Sequence, residues 1–295
     1  MRRLSRDAVR GLRLTAAASL AVLLSLATSL GTTSGQFAAT AKATTTSSTR
    51  AACTTGAPYA SLLATPAYAP NLWWRFANLT GTTTVADASG SGATGTVVNA
   101  GLTFGAANAG LITCDTTYAM RQPGTAAATG FVTTTTATTS PSVFSIATWV
   151  RTAALTGGRI AGFSSSSSAG SGVQDRALLL DRSGRVVFQV ATTTGNVLLT
   201  GPTAISDNVV HLVVATFDGS TMSLYVDGAK VGTAVVAAPA APYAGFWRCG
   251  WDQNVATLIP TARNQANVRQ DEFSVWQGKA LTASDVSTLW ASNHW

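Results

Sequence analysis

Residues 211–232 read His-Leu-Val-Val-Ala-Thr-Phe-Asp-Gly-Ser-Thr-Met-Ser-Leu-Tyr-Val-Asp-Gly-Ala-Lys-Val-Gly. Two β-rich runs, His211 to Phe217 and Met222 to Val226, flank Asp218-Gly219-Ser220-Thr221, and a second Asp-Gly pair, Asp227-Gly228, closes the next turn. Tight hairpin turns need positive φ at a central position, which glycine supplies without a Cβ clash, so an Asp-Gly between apolar runs marks a hairpin. The stretch is therefore a three-strand meander, with Asp218 and Asp227 as turn formers rather than catalytic acids or metal ligands. In the middle strand, alternation sets Met222, Leu224 and Val226 on one face and Ser223 and Tyr225 on the other, the pattern of a half-buried strand.

Similar runs recur on both sides. Val143 to Arg151, Gly157 to Phe163, Gly245 to Gly250 and Asp271 to Trp276 read as strands, and Ala177 to Leu180 with Arg185 to Val190 flank the turn Asp181-Arg182-Ser183-Gly184. Upstream, Asn71 to Phe76 is an aromatic strand with Leu72, Trp74 and Phe76 on one face, and short strands are expected within 96–104 and 120–134. Tyr59 to Ala64 allows one helical turn before Pro66 and Pro70 stop it. Thr282 with Asp285 has the capping-box spacing, and Val286, Leu289 and Trp290 share a helical face, so one short C-terminal helix is expected. Many short, regularly spaced strands and almost no helix mean an all-β sandwich of two antiparallel sheets.

Of the 295 residues only 11% are charged, against about 25% in an ordinary domain. The surface must then be built of Thr, Ser, Gly, Ala and Asn, which suits an exported β protein. The formal net charge of +7 is concentrated at the N-terminus: six of the 19 basic residues and one of the 12 acidic ones lie in residues 1–43. The remainder carries about +2, too little for recognition of nucleic-acid phosphates. A basic segment from Arg2 to Arg13, an apolar run from Thr15 to Leu30 and the small-residue site Ala41-Lys42-Ala43 read as a signal peptide over 1–43, and hence as export with no membrane association after its removal. An uncleaved anchor is the alternative, but the apolar run falls short of the ~20 residues of a bilayer span. Residues 44–57 form a Thr/Ser/Ala leader, and 58–293 a single domain. Three cysteines suit an oxidising compartment with one disulfide; Cys53 with Cys114 would tie the leader to the domain, while pairings with Cys249 stay open.

Six stretches in order resemble the laminin-G-like modules of the concanavalin A-like lectin/glucanase superfamily: Leu72 to Phe76, Val85 to Gly90, Phe144 to Val150, His211 to Gly219, Leu224 to Gly228, and Asp271 to Trp276. The resemblance implies a jelly roll of two antiparallel sheets. It also implies one Ca²⁺ at a sheet edge, with Asp87 and Asp271 at the matching positions, although the Asn that often follows the Ser-Gly of the first loop is missing here.

Glycoside hydrolysis by the glucanase route needs two carboxylates flanking the bond, and Glu272 is the only glutamate in the chain, in a strand that is structural in the laminin-G-like modules. His211 and His294 are the only histidines, and a nucleophilic triad would have to rest on His211, which reads as a strand-edge residue. The chain is therefore expected to be no enzyme. Trp247 and Trp251, beside Asp252, Gln253 and Asn254, form the best candidate sugar platform, since an aromatic face stacks on a pyranose while amides bind its hydroxyls. Arg248, Arg263 and Arg269 are candidates for acidic glycans. The expectation is an extracellular, non-catalytic module that binds carbohydrate or a glycoprotein surface, the alternative being a structural or adhesive protein that contacts proteins through the sandwich.

Overall fold

A computed structural model describes residues 57–293 apart from 99 and 169. The expected signal peptide, all but the last residue of the leader, Cys53 and His294 lie outside the described residues. In chain order the elements are helix α1 (Pro58–Leu63), then β1 (Leu72–Trp74), β2 (Thr84–Val85), β3 (Gly95–Val98), β4 (Met120–Pro123), β5 (Phe131–Thr134), β6 (Thr138–Thr139), β7 (Phe144–Arg151) and β8 (Gly158–Ser164). They continue as β9 (Gln174–Leu180), β10 (Arg185–Thr192), β11 (Gly195–Ala204), β12 (Val210–Phe217), β13 (Thr221–Val226), β14 (Ala229–Val235), β15 (Ala244–Gly250), helix α2 (Val255–Leu258), β16 (Asn267–Gln277) and helix α3 (Ala283–Ala291).

Two antiparallel sheets result. The first runs β1-β16-β7-β12-β13-β14 with β4 also on β16, and the second runs β11-β10-β9-β8-β15-β5-β3-β2 with β6 on β15. The meander forms one end of the first sheet. Val226 pairs with Ala229, which leaves Asp227 (φ 52°) and Gly228 (φ 80°) as a two-residue loop, both at the positive φ that a type I′ turn demands. The sandwich is the expected jelly roll.

The inter-sheet core gathers Trp74, Phe144, Phe188, Phe217, Trp247 and Phe273, and Met222 and Leu224 of the meander point into it. The other face of that strand is not wet, because Tyr225 is 2% exposed in a second apolar layer with Trp149, Leu212 and Val214. Helices α1 and α3 supply the cover: Tyr59 meets Trp149 edge-on at 5.4 Å, and Trp290 stacks on Trp149 at 5.5 Å. Strands covered on both faces explain why β7 and β12 read as almost unbroken apolar runs. Thr282 and Asp285 form the expected reciprocal cap on α3. Helix α2 was not expected; its Val255, with Ile259 and Ala262 just beyond it, covers Ala177, Leu179 and Val187 on the far face of the second sheet. Strand β1 is shorter than expected because the chain turns at Phe76 (φ 53°), yet Leu72, Trp74 and Phe76 all reach the core. Among the described residues no helix is long and apolar enough to cross a membrane.

Candidate functional site

Strand β15 feeds the loop in which sequence placed the sugar platform. Alternation sends Trp247 inward, where it is 1% exposed between Phe163 at 5.0 Å and Phe144 at 6.4 Å. Trp247 is thus a core side chain, which corrects its expected role in ligand stacking: packed against two aromatic rings between the sheets, it has no free ring face to offer a pyranose. Its neighbour Arg248 points the other way, with its guanidinium 3.9 Å from the ring of Phe131. Phe131 also stacks on half-buried Trp251 at 6.3 Å and 24°, so one face of the Trp251 ring is taken up by packing on β5.

Asp252 fixes the loop. Fully buried, it accepts hydrogen bonds from the backbone N–H of Ser171 (2.9 Å), the hydroxyl of Ser164 (2.7 Å) and the hydroxyl of Ser171, and it lies 3.7 Å from Arg159 and 3.5 Å from Arg248. Burial pushes its pKa up, but the two guanidinium groups and the Ser171 donors more than offset this and hold it below the ordinary carboxylate value. The carboxylate thereby clamps the loop after β8 to the loop after β15. Beyond it, Gln253 and exposed Asn254 (φ 65°) lead into α2.

These two residues form one wall of a cleft of about 380 Å³, and Gln174, Thr192 and Asn196 contribute to the rest. The walls are held by amides: Gln174 Nε2 donates to the Gln253 carbonyl (3.0 Å), Gln253 Nε2 to the Ser171 carbonyl (2.8 Å), and Gln189 Nε2 to Asn196 Oδ1 (2.7 Å). Gln174 Oε1 is buried without a partner among the described residues. No ionisable side chain lines the cleft. Its chemistry is that of neutral amides and hydroxyls, each able to donate or accept, with an apolar floor from Leu258 and Val173. Of the expected ligand residues, Asn254 lines this cleft, and Trp247 and Trp251 do not. Gln174, Thr192 and Asn196 escaped the sequence reading because they come from β9, β10 and β11, and only the sheet order brings them to the loop after β15.

The expected metal residues occupy separate settings. Asp87 caps its own loop: Oδ1 accepts from the backbone N–H of Trp73 (2.9 Å) and Ser89 (3.0 Å), and Oδ2 from the hydroxyls of Ser89 and Ser91 and the N–H of Ala93. Burial opposes its ionisation, but these donors prevail and hold its pKa low. Asp271 instead lies with Glu272 and Asp115, their carboxylate oxygens within 4.8 Å of one another. Asp271 accepts the N–H of Leu111 (2.8 Å) and of Glu272 (2.9 Å), and Glu272 accepts Trp73 Nε1 and Arg75 Nε (2.9 Å). Desolvation pushes both buried carboxyls up; repulsion from Glu272 adds to it at Asp271, while at Glu272 Arg75 opposes it and Asp115 adds to it. Arg75 also stands 3.5 Å from Asp115, so one guanidinium pairs with two of the three carboxylates. The donor set fits an internal ion-pair cluster better than the six to eight oxygen ligands that Ca²⁺ prefers.

Arg248, Arg263 and Arg269 do not share a surface, since Arg248 is buried beneath Phe131 and paired with Asp252. Cys249 is a free thiol in the core, and burial pushes its pKa up.

Comparison with known proteins agrees with this architecture. A family model described as the concanavalin A-like lectin/glucanases superfamily, Laminin_G_3, matches residues 126–287. No curated protein matches the chain by sequence. Among solved structures, the binding domain of Paraclostridial mosquitocidal protein 1 is 17% identical over 76% of this chain and 52% of its own, with a TM-score of 0.55. The binding domain of botulinum neurotoxin DC, solved with rat synaptotagmin II, is 15% identical over 76% of this chain and 51% of its own (TM-score 0.51), and the same domain with SialylT is 15% identical over 77% and 52% (TM-score 0.52). The chain spans about half the length of these structures, and at such identities the likeness is one of fold. With the family model covering more than half of its residues, from β5 to α3, the chain belongs to the laminin-G-like family of the concanavalin A-like lectin/glucanases superfamily.

Proposed function

We propose that this protein is an exported, non-catalytic binding module that recognises carbohydrate through the neutral cleft beside Asn254. The observation that carries the reading is the lining of that cleft: amides of Gln174, Asn196, Gln253 and Asn254 with the Thr192 hydroxyl, and no ionisable group. Such a surface matches the hydroxyls of an uncharged sugar and supplies neither a general acid nor a base. The carboxyls Asp271 and Glu272, on the other sheet, are fully buried and closed to a substrate. The fold supports a binding role through its likeness to toxin binding domains, one solved with a protein and one with SialylT. A disulfide between Cys53 and Cys114 belongs to the same proposal, with Cys249 left as the buried free thiol.

Calcium is not part of the recognition proposed. A glycan array run with calcium and again with EDTA is expected to give the same ligands, and Asn196→Ala and Gln253→Ala to weaken them at least tenfold, while Trp251→Ala acts mainly on stability. If no glycan binds under either condition, the carbohydrate reading fails and the protein-contact role takes its place. If EDTA abolishes binding, recognition depends on a metal ion, and the proposal that the neutral cleft alone carries it fails.

A further inference from the structure

On the outer face of the first sheet, three arginines stand in one row across three neighbouring strands. Arg269 of β16 is directly paired with Arg121 of β4 on one side and with Arg151 of β7 on the other. Alternation fixes the face: Val268 and Val150 point into the inter-sheet core, as does Met120, so the residue following each points outward. Like charges directly opposite on adjacent strands repel and destabilise a sheet. Here two such pairs are stacked side by side, and among the described residues no carboxylate forms an ion pair with any of the three.

Neutral oxygens hold the guanidinium groups instead. Arg121 donates to Asn267 Oδ1 (3.1 Å), Arg151 Nε to the carbonyl (2.8 Å) and Oδ1 (3.2 Å) of Asn208, and Arg269 to the carbonyl of Ala107 (3.3 Å). The three side chains, with Thr152, line a cleft of about 400 Å³, well within the size of small-molecule sites. The cleft contains no acidic residue. Guanidinium groups that are positioned but not neutralised, converging on one cavity, match the geometry by which arginine binds carboxylate, sulfate or phosphate oxygens in pairs.

We propose that this cleft is an oxyanion-binding site, distinct from the neutral cleft on the other sheet and independent of its reading. The repulsion along the row is the structural cost of that site and is relieved when the anion is bound.

The test is thermal unfolding and titration calorimetry of the full chain with sodium sulfate, sodium phosphate and sodium acetate, each against sodium chloride at equal ionic strength. Sulfate or phosphate is expected to raise Tm beyond chloride. Arg269→Gln removes the central charge, so it is expected to lower the apparent affinity at least tenfold and, without oxyanion, to match or exceed the parent in Tm. Arg121→Gln and Arg151→Gln weaken binding in the same direction and keep the test open if Arg269→Gln does not fold, while Arg182→Gln, an exposed arginine on another loop, changes nothing. Arms with heparin, hyaluronan and dextran then tell a sulfate-ester source from a carboxylate source. Equal responses to sulfate, phosphate, acetate and chloride, or an Arg269→Gln variant that responds like the parent, would overturn the proposal.

Discussion

His211 is held between two carboxylates, Nδ1 at 2.7 Å from Asp227 and Nε2 at 3.0 Å from Asp207. Both bonds favour the imidazolium, the one to Asp227 most, and despite opposing burial they raise the pKa above the usual value near 6.5. A raised folded-state pKa means that the clamp contributes fully below the unfolded value and is lost as pH rises through the folded one. We therefore expect Tm to fall on going from pH 6 toward pH 8.5, and His211→Asn to flatten that slope; a variant whose Tm follows pH as the parent does would remove His211 as the cause. The clamp was partly legible. Asp227 is the turn former that its sequence predicts, and His211, the second residue of β12, stands at the head of its strand as expected, although β12 itself is central in the sheet. Counting back from the turn through the pairing of Val213 with Val226 sets Asp227 beside Leu212, whose N–H it binds, and so within reach of His211. Asp87 and Trp247 show the opposite case: their types suited a ligand site, but hydrogen-bond saturation and burial depend on neighbours far away in sequence.

At the scale of elements, turn and helix are coupled. The Asp227-Gly228 turn packs beneath α3, where a Cβ on Gly228 would lie 2.9 Å from Trp290 Cβ, in addition to the strain of φ 80°. Gly228→Ala is thus expected to cost about 1–3 kcal/mol, more than an isolated turn would, because it disturbs the Trp290–Trp149 stack as well as the hairpin. Thr282→Ala, which removes the N-terminal cap of the same helix, is expected to cost about 1 kcal/mol. Urea unfolding monitored by tryptophan fluorescence measures both, and additivity in the double variant would show that turn and cap act separately. Local signals such as the Asp-Gly turns and the Thr282–Asp285 cap made these elements readable. Helix α2 had no such signal: its first residue follows a left-handed Asn254 with no side-chain cap, and its position depends on the apolar face of β9 and β10 and on Asn264, whose Oδ1 accepts the Val255 N–H (3.2 Å).

Over the whole molecule, the apolar layer between the sheets is the main core, and the outer faces carry smaller apolar layers beneath the helices together with the candidate binding surfaces. The layer depends on large side chains reaching across it, and Trp247 is central among them, in contact with Phe144 from the first sheet and Phe163 from its own. Cutting such a residue back to alanine leaves a cavity in a close-packed interior and costs about 3–5 kcal/mol, a large part of the 5–15 kcal/mol that holds a typical domain together. Trp247→Ala should accordingly lower Tm by many degrees and weaken both clefts together, since each is built on strands that this core aligns. Asn196→Ala and Arg269→Gln should each affect one cleft and leave the other, Asn196→Ala with little loss of Tm and Arg269→Gln with none. Circular-dichroism melting alongside the two binding assays separates these outcomes. A Trp247→Ala variant that keeps the parent Tm yet loses only sugar binding would return this residue to the surface role that its sequence neighbourhood first suggested, and would contradict the packing by which the two sheets are joined.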